Sequence, residues 1–95
     1  MAIQINYNYQ EFDATVYNAY WRINPNHGII GGKKEIRYTI EVFKNIEMAH
    51  QENAKAIKGF TFSFIPDLSG GAPNFIAQSY NHVKSLPQFH GSVDL

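Results

Sequence analysis

The sequence predicts an α+β domain: an antiparallel sheet of three to four strands with one C-terminal helix packed on a face. Three observations predict it. Four segments alternate apolar and polar residues with period two, the mark of a strand with one buried face. Near the C-terminus Phe75, Ile76, Tyr80 and Val83 recur at helical spacing, with Gln78, Asn81, His82 and Lys84 between them. The chain has 95 residues, 44% of them hydrophobic, which is enough for one core and a single domain over residues 1–95.

The first alternating segment lies in residues 1–12, an extended N-terminal arm or edge strand. Ile3, Ile5, Tyr7 and Tyr9 point one way, and Gln4, Asn6, Asn8 and Gln10 the other. A terminal strand of this kind pairs at a sheet edge or completes a neighbouring subunit's sheet. Residues 15–24 form the second segment, with Tyr17, Ala19, Trp21 and Ile23 on one face and Val16, Asn18, Tyr20 and Arg22 on the other. Asn24-Pro25-Asn26-His27-Gly28 is dense in turn residues, and Pro25 lacks a ladder donor, so the strand ends there. With Gly31-Gly32 the stretch reads as a long hairpin loop.

Residues 35–45 carry the third strand, in which Ile36, Tyr38, Ile40 and Val42 alternate with Arg37, Thr39, Glu41 and Phe43. Residues 46–58 contain helix formers but poor apolar spacing, so they read as a short helix or an irregular excursion. Residues 59–65 give the fourth strand, with Phe60, Phe62 and Phe64 on one side. Burying one Phe stabilises by about 1.5–3 kcal/mol. Three rings together approach the net stability of a small domain, about 5–15 kcal/mol, so the stripe is core or a permanent interface. After a loop of residues 66–71, Pro73 suits the start of a helix, and Pro87 stops it by forcing Leu86 towards extended backbone. Leu86 and Phe89 flank that proline and dock back on the sheet; Gly91 allows a backbone conformation that other residues resist. Phe89 and Val93 are the expected anchors of the tail.

Composition excludes more than it selects. Eight basic residues balance eight acidic ones, which argues against a partner held by bulk electrostatics, such as nucleic acid or an anionic membrane surface. The chain has no apolar run long enough to span a membrane and no signal-peptide pattern at Met1-Ala2-Ile3-Gln4. Without cysteine it has neither a disulfide framework nor a thiol nucleophile. Aromatic residues make up 15% and charged residues only 17%, against about 25% in an average protein. Aromatics favour strands, and scarce charge with many aromatics is also the makeup of protein–protein contact surfaces.

Few motifs carry chemistry. Gly28-Ile29-Ile30-Gly31-Gly32-Lys33-Lys34 invites a phosphate-loop reading. Counting back from Gly32-Lys33, however, puts His27 where the first glycine belongs, and Lys34 replaces the Ser/Thr that would hold Mg²⁺. Gly28-Ile29-Ile30-Gly31 also fits the GXXG of a nucleic-acid clamp, but its flanks are strand-like and its central residues apolar. A hairpin tip with two adhesive isoleucines explains it better. The histidines, His27, His50, His82 and His90, form no helical i, i+3 or i, i+4 metal pair. No serine occupies a G-x-S-x-G elbow. The five basic against two acidic residues between Arg22 and Lys44 suit a solvated hairpin.

The chain closes on Tyr80-Asn81-His82-Val83-Lys84-Ser85-Leu86-Pro87-Gln88-Phe89-His90-Gly91-Ser92-Val93-Asp94. This resembles the end of a group of small, mostly uncharacterised tailed-bacteriophage and prophage proteins: a helix, then Leu-Pro-x-Phe-x-Gly and a terminal acid. The order upstream is similar too, with an Ala19–Ile23 strand, an Ile36–Val42 strand and an aromatic strand at Phe60–Phe64. Gln88, His90 and Ser92 differ from the group's pattern. The resemblance implies a structural virion component, a tail or baseplate subunit made in the bacterial host cytoplasm, with no catalytic residue to carry over.

The expected function is therefore assembly. The partners are other copies of the chain and other virion proteins, without nucleic acid, membrane, cofactor or metal. The candidate interaction residues are Ile3, Ile5, Tyr7 and Tyr9 on the terminal strand and Ile29 and Ile30 on the loop tip. The alternative is a small carbohydrate- or ligand-binding module, in which an exposed Trp21 and tyrosines stack on sugar faces.

Overall fold

The fold is built around one long strand whose alternation is the cleanest in the chain. A computed structural model describes residues 2–9, 13–23, 29–31 (backbone only) and 35–95. In order, the elements are β1 (Ile3–Gln4), β2 (Tyr7–Tyr9), β3 (Ala14–Val16), β4 (Tyr20–Ile23), β5 (Ile29–Gly31), β6 (Ile36–Phe43), α1 (Ile46–Ala49), β7 (Lys58–Phe64), α2 (Phe75–Ser85) and β8 (Val93–Asp94). A single 3₁₀ turn, Pro87–Phe89, follows α2.

The class is α+β and antiparallel, as the alternation predicts, but the sheet is larger than three to four strands. β1, β4, β5, β6, β7 and β8 form a six-stranded sheet, and β2 and β3 a separate two-stranded ribbon. β7 pairs along β6 from Ile36 to Val42. The opposite edge of β6 takes β4 over Ile40–Phe43 and β5 over Ile36–Tyr38. β4 and β5 are thus one rung interrupted by the turn-rich residues 24–28, which lie outside the described residues. The long loop expected there is corrected to this extent: pairing resumes at Ile29–Gly31, because its apolar pair finds free ladder positions opposite Tyr38 and Arg37.

The second correction concerns the N-terminus. β1 pairs with β4 on one side and β8 on the other. It is an inner strand, not an arm or an edge. The strand expected at residues 15–24 is broken as well. β1 meets β4 as Gln4↔Tyr20, whereas β2 meets β3 as Tyr7↔Val16. Two residues on one side therefore face three on the other, which is a β-bulge. Asn18 sits there at φ 52°, a left-handed conformation that asparagine tolerates, and its N–H donates to Asn6 Oδ1 at 2.8 Å. The extra residue switches faces: Val16 packs against the same core as Trp21, while Tyr17 is 73% exposed.

The main core lies between the sheet and α2. Ile3, Trp21, Ile23, Tyr38, Ile40 and Val42 meet Tyr80, Val83 and Phe89. α2 starts two residues later than the proline suggests. Asn74 is its cap, accepting from Ala77 N–H at 2.8 Å, and Pro73 lies just outside. It stops as expected, with Leu86 extended before Pro87; Leu86 and Phe89 pack on the core, and Gly91 adopts φ 85°. Val93 is not an anchor: it is exposed, and its backbone adds β8 instead. A smaller cluster of Ala2, Tyr20, Phe43 and Ala49 covers part of the other face. It is closed by α1, which Asn45 caps by accepting from Met48 N–H.

Candidate functional site

Two places on the surface stand out among the described residues. The first is the outer edge of β7. β7 is seven residues long and, among the described residues, pairs only with β6, so its other edge carries no described strand. Lys58 is its one charged residue; from Gly59 to Phe64 it has none. Phe60, Phe62 and Phe64 are half-buried and packed on the core. Phe62 lies 5.9 Å from Tyr38 between ring centres, and Phe64 stacks on His82 at 5.2 Å and 20°. Behind it, the Tyr38 hydroxyl and His82 Nδ1 share a hydrogen bond of 2.6 Å. Burial pushes the Tyr38 phenol up and the His82 imidazole down, so both sit neutral at pH 7.

Past β7 the chain stays apolar. Ile65 is 83% exposed and Leu68 54%. Their loop is held rigidly: Gln78 Oε1 accepts from Asp67 N–H, and Gln78 Nε2 donates to the carbonyls of Asp67 and Pro73. The Asp67 carboxylate accepts from Ser69 N–H at 2.9 Å, and that bond holds it below its ordinary pKa.

The second place is a cleft of about 450 Å³ between the β2–β3 ribbon, β7 and the 3₁₀ turn. Tyr7, Tyr9, Trp21, Phe60 and Phe89 form its aromatic part, and Lys58 and Gln88 lie beside them. The rings meet at corners: Tyr7 and Phe89 stand edge-on to Trp21 at 88° and 81°. The Trp21 N–H donates to the Ile5 carbonyl at 3.0 Å. Such a cleft falls in the size range of small-ligand sites, about 300–1,000 Å³.

The expected interaction residues separate. Ile3 is core, 1% exposed, and cannot meet a partner. Ile5 packs partly buried on the same core. Tyr7 and Tyr9 meet at 5.8 Å and both line the cleft. Ile29 and Ile30 have their backbone in β5; their side chains lie outside the described residues, as do Gly28, Gly32, Lys33 and Lys34. The strand conformation of Ile29–Gly31 is not the helix-flanked clamp that a GXXG motif needs. Trp21, expected to be exposed for stacking, is only 4% exposed and forms the wall behind Tyr7. Sequence reasoning missed β7 as an open edge, although its uncharged alternation was the available signal.

Among the described residues no three His, Asp or Glu side chains gather as a metal site would require, and no helix is long and apolar enough to cross a membrane. Compared with protein-family models, curated proteins and solved structures, the chain matches none.

Proposed function

We propose that the chain is a structural subunit that acts by assembly, a protein–protein interaction component of a bacteriophage tail or baseplate. One observation supports assembly above the others: the outer edge of β7 from Gly59 to Phe64 pairs with no strand among the described residues and carries no charge. Folded proteins ordinarily blunt such an edge with charge, proline, a bulge or a cover, because it templates pairing with another chain. The exposed Ile65 and Leu68 on their pinned loop add apolar contact at the same end of the strand. The placement in a virion rests on the resemblance of residues 80–94 to phage proteins. Light scattering and native mass spectrometry test it: oligomers are expected, alone or with tail proteins. A strict monomer at high concentration that binds no tail protein would overturn it.

The aromatic cleft favours a second function, binding of a carbohydrate or another small ligand. Tyr7 and Phe89 meet Trp21 edge-on while Phe60 tilts 35° from it, so the rings form corners, which a puckered sugar ring fits better than a flat base that needs a parallel slot. Trp21 is the only tryptophan and lines the cleft, so its emission reports occupancy directly. Titration with maltotriose, cellotriose and chitotriose should shift that emission saturably, and a flat response to a wide glycan panel removes this function.

A further inference from the structure

We infer that the occupant of the open edge is β7 of a second copy, running antiparallel about a two-fold axis through Thr61. This pairing rests on the assembly function proposed above and supplies its partner and register. The strand is self-complementary about its centre. With Thr61 opposite Thr61 of the copy, Phe60 faces Phe62, Gly59 faces Ser63 and Lys58 faces Phe64, and each pair recurs on the far side of the axis. No like charges meet. The one cation falls opposite a ring, and Lys58 already holds its Nζ 5.4 Å from the centre of Phe60.

The faces match as well. A two-fold axis perpendicular to the sheet keeps Phe60, Phe62 and Phe64 of both copies on the α2 side. Those three rings are half-buried in the single chain, and cross-strand aromatic pairs would cover what remains open. The opposite face stays polar across the joint, through Thr61 and Ser63, with Thr39 bonded to Thr61 at 3.0 Å. Shifting the pairing by one residue would put the Phe stripe of the copy on the polar face. The sequence therefore fixes the face and favours the register centred on Thr61. The other outer strands offer no equivalent, since β8 has only two residues, one of them Asp94, and β5 only three.

The natural absence of cysteine makes the test direct. Residues directly opposite in an antiparallel pair have Cα atoms about 4.5–5.5 Å apart, within the reach of a disulfide, about 4.4–6.8 Å. Thr61→Cys in the full chain should therefore form a covalent dimer under mild oxidation. Ser63→Cys alone should not, whereas an equal mixture of Ser63→Cys and Gly59→Cys should crosslink as a heterodimer. A Cβ at Gly59 meets only the Thr39 methyl, at 3.3 Å. In parallel, Thr61→Lys should lower the dimer fraction at least ten-fold with the melting temperature kept, and mixing it with Thr61→Glu should restore dimers.

The outcomes separate the two levels. If the wild type oligomerises but Thr61→Cys does not crosslink and Thr61→Lys assembles unchanged, self-pairing is overturned and the assembly function stands. If Thr61→Cys crosslinks only to another virion protein, the edge belongs to a foreign strand and self-pairing is again overturned. If every variant and the wild type stay monomeric, alone and with tail proteins, both fail.

Discussion

β7 and β8, two of the outer strands of the sheet, are treated in opposite ways. β8 is two residues long, and Asp94 within it is held by Lys84 of α2, whose Nζ lies 3.2 Å from the carboxylate. Leu95 N–H donates to the Ala2 carbonyl at 2.9 Å, so even the residue after it is used on the inner side. β7 is seven residues long, uncharged over its last six, and continues into exposed apolar side chains. Short length and charge are the usual protections of an edge. β8 has both, whereas β7 is long and has its one charge at its first residue, Lys58. The difference teaches that the means of closing an edge are present in this chain, at β8, and are not applied along β7 beyond Lys58.

Four measurements can break or sharpen that contrast. The largest effect should come from one substitution made on each edge. Phe62→Asp removes a ring packed against Tyr38 and Phe89. Losing such a ring costs about 3–5 kcal/mol, so no soluble folded protein is expected. Val93→Asp, at an exposed position, should stay within about 0.5 kcal/mol. Unchanged circular dichroism and melting temperature for Phe62→Asp would refute the contrast.

Next comes the tie between helix and sheet. Ile23 N–H donates to the Tyr80 hydroxyl at 2.8 Å, beyond the point where β1 pairs with β4. Tyr80→Phe leaves that N–H buried and unpaired, at a cost of about 1–3 kcal/mol in urea unfolding. A loss near zero would mean that water replaces the hydroxyl.

The third measurement probes the support of β7 with pH. Burial holds His82 below its ordinary pKa, so the unfolded chain takes up this proton at a higher pH than the folded one. Stability should be full above histidine's ordinary value of about 6.5. It should fall as the pH drops through that value towards the lower folded one. The urea midpoint should decline over that window in the wild type and decline less in His82→Gln; parallel curves would show that His82 does not carry the effect.

The smallest effect belongs to the guarded edge. Lys84→Ala breaks a largely exposed ion pair, for which about 0.2–1 kcal/mol is typical. Stability should barely change, and any new self-association through β8 would show what the pair protects against.

Much of the fold was legible because it is written in local periodicity. The alternation around Tyr38 and Ile40, the Phe stripe, the stop before Pro87 and the docking of Leu86 and Phe89 all depend on near neighbours in sequence. What escaped depends on distant ones. Two residues, Val93 and Asp94, show no period, and only the free side of Ile3 and Gln4 makes them a strand. The break at Asn18 was hidden because Tyr17, Ala19, Trp21 and Ile23 keep an unbroken alternation through it. Ile3 and Tyr7 look alike on a sequence strip, yet one is core and the other lines the cleft. The cleft itself gathers Tyr7, Phe60 and Phe89 from three remote parts of the chain.

The surplus residue at Asn18 has a consequence of its own. Parity along a strand is a binary property, and one insertion inverts it for everything that follows. Held in ordinary extended backbone instead of its left-handed turn, Asn18 would leave the alternation unbroken, send Val16 to solvent and draw Tyr17 inward, unseating the ribbon from Trp21. Whether Tyr7 and Tyr9 have a wall to lean on is thus decided by the backbone turn of a single amino acid.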